Sequence, residues 1–176
     1  MHTQILDISI KEDLDTACTL LGQGKIVAFP TETVYGLGAN ALDPDAIGLI
    51  YAAKGRPSDN PLIVHIASLE SIPNLVLETE SEKYKKSVEI GRMFWPGPIS
   101  ILFPKAKIVP DRVTGNLPTV VLRMPSHPIA HQLLSALSMY PLFYQPFLFH
   151  CVLSILSILY IPQIIQHRIS SCCTKR

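Results

Sequence analysis

The chain has 176 residues, long enough for one domain with a buried core, and its 15 Lys and Arg against 14 Asp and Glu leave a net charge of +1. That balance excludes a protein held to nucleic acid mainly by bulk charge, though not a small local basic site. Its four cysteines, Cys18, Cys151, Cys172 and Cys173, form neither a disulfide framework nor a metal-ligand spacing, so a reducing compartment and no metal site are expected.

The opening MHTQILDISIKEDLD carries acids early and has no long apolar core, so neither a secretory leader nor an Arg-rich transit sequence is expected. A cytoplasmic protein is the expectation, with an organelle left open. Ser9 and Glu12 stand at the spacing of a capping box. They predict a helix over 10–22 with Leu14, Ala17, Cys18 and Leu21 on one face, stopped by Gly22 and Gly24. KIVAF, 25–29, reads as a buried strand. Asp43-Pro44 supplies an N-cap and first helical residue for a helix with Ile47, Ile50 and Tyr51 on its apolar side, ending at Lys54-Gly55.

After Pro61, LIVHIA reads as a strand. SEKYKKSVEIGRMF is a helix stopped by WPGP, and its KYKK is a solvated face. ISILF and TVVLRM are two more strands, and Pro128 opens a helix through HQLLSAL. Helix and strand patterns interleave, which points to an α/β fold. This regular part is taken as one domain, residues 1–138.

Residues 139–176 differ in character. YPLFYQPFLFHCVLSILSILYIPQII contains no Lys, Arg, Asp or Glu and keeps neither a two-residue nor a helical period. Three readings compete: a last hydrophobic element on the core, a membrane-seeking tail ending in HRISSCCTKR, and a segment not native to the domain, such as an altered reading frame or retained non-coding stretch. FLFHCVLSILSILYI is a little short of the ~20 apolar residues that a spanning helix needs.

Two stretches carry chemistry. In FPTETVYGLGANAL, 29–42, Thr31, Thr33 and Tyr35 alternate, and on an extended chain their hydroxyls share a face that can fix a small polar ligand. Local turn capping by the threonines, with Tyr35 packing, is the equal alternative. In KGRPSDNPL, 54–62, Lys54 and Arg56 flank Gly55 at a helix end, where both cations can reach one anionic group; a solvated basic turn is the alternative. No Walker or dinucleotide fingerprint occurs. His65, inside LIVHIA, reads first as a core histidine. His127 and His131 share a helix face without a third ligand. Trp95 is a packing anchor. Arg123, alone at the end of an apolar strand, must find an anion or reach water, so a carboxylate partner is expected. No nucleophilic triad stands out.

FPTETVYGLGANA, then KGRP and NPL with VH beyond, then FWPGP, then VLRMPSHP follow in that order. Over about residues 10–137 the chain resembles the YrdC-type threonylcarbamoyl-AMP synthases. The resemblance implies a twisted mixed sheet flanked by helices around a concave cavity. It implies a nucleotidyl transfer that joins L-threonine, bicarbonate and ATP into threonylcarbamoyl-adenylate and pyrophosphate, with Mg²⁺ accompanying the ATP. A downstream transferase would then modify tRNA to N6-threonylcarbamoyladenosine. By resemblance, Lys54 and Arg56 are the catalytic, phosphate-holding cations and Asn60 joins them at the nucleotide. Thr31, Thr33, Tyr35, His65 and Arg123 would hold threonine. The alternative is a defective variant or a double-stranded RNA-binding module of the same fold; membrane attachment is not expected. The family continues with P-x-x-A-P-S-A-N-x-S-G where this chain has SMYPLFYQPFLFH. That departure makes the non-native reading of 139–176 the favoured one and predicts a sheet incomplete at its C-terminal end.

Overall fold

The computed structural model describes residues 3–32, 34–55, 57–139 and 147–151. Helix α1 spans Lys11–Gly22 and buries Ala17, Cys18 and Leu21, three of the four residues expected on its inner face. The Ser9–Glu12 capping box is not formed. A turn, closed by the Ile10 amide on the Asp7 carbonyl, makes Ile10 the N-cap, and the Ser9 hydroxyl donates to the Asp7 carboxylate instead. Asp13, now third in the helix, accepts from the Asp7 amide at 2.8 Å.

Strands β1 (Val27–Pro30) and β2 (Tyr35–Asn40) form an antiparallel hairpin in which Pro30 faces Tyr35. β1 is not the fully buried strand read from KIVAF. It lies at the sheet edge, with Phe29 buried and Ala28 exposed. Helix α2 (Pro44–Lys54) begins and ends as its sequence dictates. The Asp43 carboxylate accepts from the Asp45 and Ala46 amides, satisfying donors the first turn leaves open, and Gly55 closes the end at φ 58°. Ile47, Ile50 and Tyr51 are its buried face.

Strand β3 (Ile63–His65) leads to a short helix α3 (Ile72–Leu75). Helix α4 (Glu82–Phe94) is capped by the Ser81 hydroxyl accepting from the Tyr84 amide. Trp95 follows it, buried, with its indole N–H on the Ile99 carbonyl at 2.7 Å. Gly91 leaves space for that ring; a Cβ there would stand 2.8 Å from it. β4 (Ile101–Pro104), a single turn α5 (Asp111–Thr114), β5 (Thr119–Arg123), α6 (Pro128–Met139) and β6 (Phe147–Cys151) complete the order.

The six strands run β1-β2-β6-β3-β5-β4. β3 and β5 are parallel and β6 is antiparallel to both its neighbours, so the sheet is mixed. Residues 147–151, from the segment read as a tail, therefore join the β1-β2 pair to the β3-β5-β4 half. One buried cluster gathers Ile47, Ile50, Leu62, Val64, Phe103 and Leu122. A second packs α1 on α6 through Leu21, Leu133, Leu134 and Leu137, with Phe29 beneath. No helix among the described residues is long and apolar enough to cross a membrane.

Candidate active site

The hydroxyl-rich stretch is a hairpin tip and not an extended segment. The Thr31 amide donates to the Val34 carbonyl at 3.1 Å, and the Thr31 hydroxyl reaches the same oxygen at 2.6 Å. Residues 31–34 thus close a turn, and the one-face argument from alternation gives way to the turn-capping alternative for Thr31. Tyr35 opens β2 with 55% of its surface exposed. Thr33 lies outside the described residues.

Arg123 ends β5 and is 6% exposed. Its Nη2 donates to the Glu32 carboxylate at 2.5 Å, and its Nε to the Gly97 carbonyl at 3.3 Å. The anion that a buried arginine demands thus comes first from within the chain, and Glu32 is the residue that the sequence reading did not assign. Its signal was indirect: a carboxylate among hydroxyls, and a strand-end cation that needed a partner. Glu32 belongs to the hairpin tip, while β6 and β3 separate β2 from β5. Three strand spacings make about 14 Å on a flat sheet. The register also sets Arg123 level with Asn40, at the far end of β2 from the tip, so the tip must fold back over the sheet to meet it.

The parallel register sets His65 level with Arg123, and His65 is 3% exposed. Burial, with the positive charge of Arg123 added, holds its imidazole well below the usual 6.5, so it is neutral near pH 7. For Glu32, burial works to raise the carboxyl pKa, but the hydrogen bonds and charge of Arg123 and nearby amides outweigh it and hold the group below 4.5.

Lys54 and Asn60 lie at a second point, the connection from α2 to β3. Lys54 is the last residue of α2, and Asn60 is exposed. Arg56 lies outside the described residues. Gly38 and Ile63 both face Phe149 of β6, so β2 and β3 run in step, and Tyr35 and Asn60 enter the sheet from the same end. The structure thus pairs Glu32 with Arg123, sets His65 beside Arg123 on the neighbouring strand, and puts Lys54 and Asn60 on the connection that enters the opposite end of β3. A cavity of about 520 Å³ lies beside His65, walled by Leu42, Ile66, Leu75, Leu134 and Ser138. Neither Lys54, Asn60, Tyr35 nor Arg123 lines it. His127 and His131 are engaged locally, with the Ile129 amide and the Ser135 hydroxyl.

Comparison with known proteins places the chain in a family. The sequence model of the Sua5, YciO and YrdC proteins, described as "Telomere recombination", matches residues 19–144. The threonylcarbamoyl-AMP synthase of Pyrococcus abyssi is 52% identical over 118 residues, covering 67% of this chain and 34% of that protein. That of Bacillus subtilis is 44% identical over 138 residues, 74% of this chain and 39% of the relative. The chain therefore spans well under half the length of these curated relatives. The crystal structure of P. abyssi Sua5 complexed with L-threonine superposes with a TM-score of 0.70 at 44% identity, over 80% of this chain and 38% of that one. E. coli YciO shares the fold, with a TM-score of 0.67 at 20% identity, over 92% of this chain and 74% of its own. With the ordered motifs, the mixed sheet and a family match across most of its length, the chain belongs to the Sua5/YciO/YrdC family.

Proposed function

We propose that this chain carries a threonylcarbamoyl-AMP synthase site, using L-threonine, bicarbonate and ATP. The observation that carries the reading is the buried Arg123 at the carboxyl end of β5, beside a neutral His65 and under the hairpin tip. A guanidinium has five N–H donors. Those not engaged with Glu32 and Gly97 suit the threonine carboxylate, with Thr31, Thr33, Tyr35 and His65 around the rest of the amino acid. A neutral imidazole adds a directed hydrogen bond without adding charge.

Lys54 and Arg56, with Asn60, are assigned to the nucleotide. The threonine amine and bicarbonate condense to a carbamate with loss of water. A carbamate oxygen then attacks the α-phosphorus of ATP, the bond to the bridging oxygen breaks, and pyrophosphate leaves with the electron pair. The two reactants are both anionic, so fixed cations offset their repulsion and positioning supplies much of the rate. No protein nucleophile is required. Mg²⁺ would accompany the triphosphate and offset part of its charge.

The relatives' names and the L-threonine complex of P. abyssi Sua5 support the reading. The proposed catalytic unit is residues 1–138, acting in the cytoplasm, with its product passed to a transferase that modifies tRNA. Residues 139–176 are proposed to be a divergent tail, although the family match runs to residue 144 and 147–151 lend the sheet a strand. The purified full chain, given ATP, bicarbonate and threonine, should release pyrophosphate only when threonine is present. Threonine-independent release, or none, would overturn the proposal.

A further inference from the structure

Lys54 and Asn60 sit on a connection whose residues 57–60 are exposed. Such a stretch holds ligand-facing groups steady only if something fixes its backbone. Here the fixing element is α5, distant in sequence and packed against α2. The Leu62 amide donates to the Val113 carbonyl at 2.8 Å. Gly115 presses its bare Cα against the Asp59 carbonyl; a Cβ there would lie 2.3 Å from that oxygen, and its φ of +58° already favours glycine. Arg112 runs back over Gly48 and donates to the Pro44 carbonyl at 3.1 Å, so α5 is braced on the first turn of α2 as well. At the other end of α2 the Tyr51 hydroxyl stands 2.8 Å from the Asn60 carbonyl and 3.1 Å from the Arg112 carbonyl.

We infer that Tyr51 is a positioning residue for the nucleotide side of the site, its hydroxyl pinning the Asn60 backbone between α2 and α5 and so fixing where Asn60 stands relative to Lys54. The inference rests on the assignment of Lys54 and Asn60 to ATP. The Tyr51 ring is 5% exposed and belongs to the core, so Phe keeps the packing while removing the hydroxyl from both the Asn60 and the Arg112 carbonyls. Tyr51 lies one helical turn before Lys54, which places the tie at the base of the connection.

The test uses the full chain and Tyr51→Phe. Amide hydrogen exchange at Asn60 and Leu62, whose amides donate to the Pro57 and Val113 carbonyls, should quicken about fivefold, the loss of one neutral hydrogen bond, while Val64 and Leu122 hold. In pyrophosphate release the KM for ATP should rise about fivefold with the KM for threonine unchanged. Gly115→Ala, which displaces the same backbone, should give the same ATP-selective defect in larger measure. Unchanged exchange in Tyr51→Phe would overturn the inference. So would faster exchange with an unaltered KM for ATP, or an equal rise in both KM values. If the wild-type chain binds ATP by calorimetry without threonine-dependent release, the functional reading fails alone. The dissociation constant for ATP then replaces KM, and an unchanged value in Tyr51→Phe sinks the positioning role.

Discussion

The hairpin tip around Glu32 and the connection from α2 to β3 are the two segments of the proposed site, yet different forces hold them. The tip is tied to β5 by a charged pair whose side chains are 7% and 18% exposed. The connection is tied to α5 by neutral hydrogen bonds and a close glycine contact. A charge withdrawn from water needs its partner far more than a carbonyl needs one hydroxyl. The first region should therefore fail abruptly when half the pair is removed, and the second should loosen by degrees.

Removing the cation should give the largest effect. Arg123→Ala strands the Glu32 carboxylate and should cost about 3–5 kcal/mol in chemical denaturation. Glu32→Gln, which keeps an acceptor for the arginine, should cost clearly less. Equal losses from the two variants would mean that charge is not what distinguishes the tip. Gly115→Ala comes next. The new methyl meets the Asp59 carbonyl in a left-handed backbone, and about 2 kcal/mol of stability should be lost. Asp43→Ala tests the helix that carries Lys54. It removes the acceptor for two first-turn amides and should cost about 1 kcal/mol.

The finest discriminator is the slope of stability with pH. His65 has its pKa lowered in the fold, so the unfolded chain takes up the proton first and stability falls as pH drops below 6.5. Glu32 also has a lowered pKa; its contribution is complete above the ordinary 4.5 and is lost as pH falls through the folded value. Denaturation midpoints of wild type should therefore decline in two stages on acidification. Glu32→Gln should remove the lower stage, and Tyr51→Phe should leave both in place.

Much of this was legible because it is local. Asp43-Pro44 and Gly55 bound α2 for reasons contained in a few residues, and the same holds for Ser81 and α4. The helix face of Ile47, Ile50 and Tyr51 followed from periodicity. What escaped was set by distant contacts or by competition between near-equal local bonds. Ser9 turns back to the Asp7 carboxylate and not forward to Glu12. DRVT, four residues without a period, announces no helix, yet α5 braces the connection from α2 to β3. YGLGAN, with two glycines, does not look like a strand until β1 and β6 flank it. The Glu32–Arg123 pair spans residues 91 apart, which no spacing rule reaches.

The place of β6 has a consequence for how the molecule comes to be made. Because Phe147–Cys151 is, among the described residues, the strand that lies between β2 and β3, each of those strands keeps an open hydrogen-bonding edge until synthesis has passed Cys151. Open edges recruit other chains, and late, long-range pairing is slow. A translation product stopping short of Cys151 would leave two half-sheets with adhesive margins, so the residues 1–138 proposed to carry the chemistry need β6 to be held in one sheet.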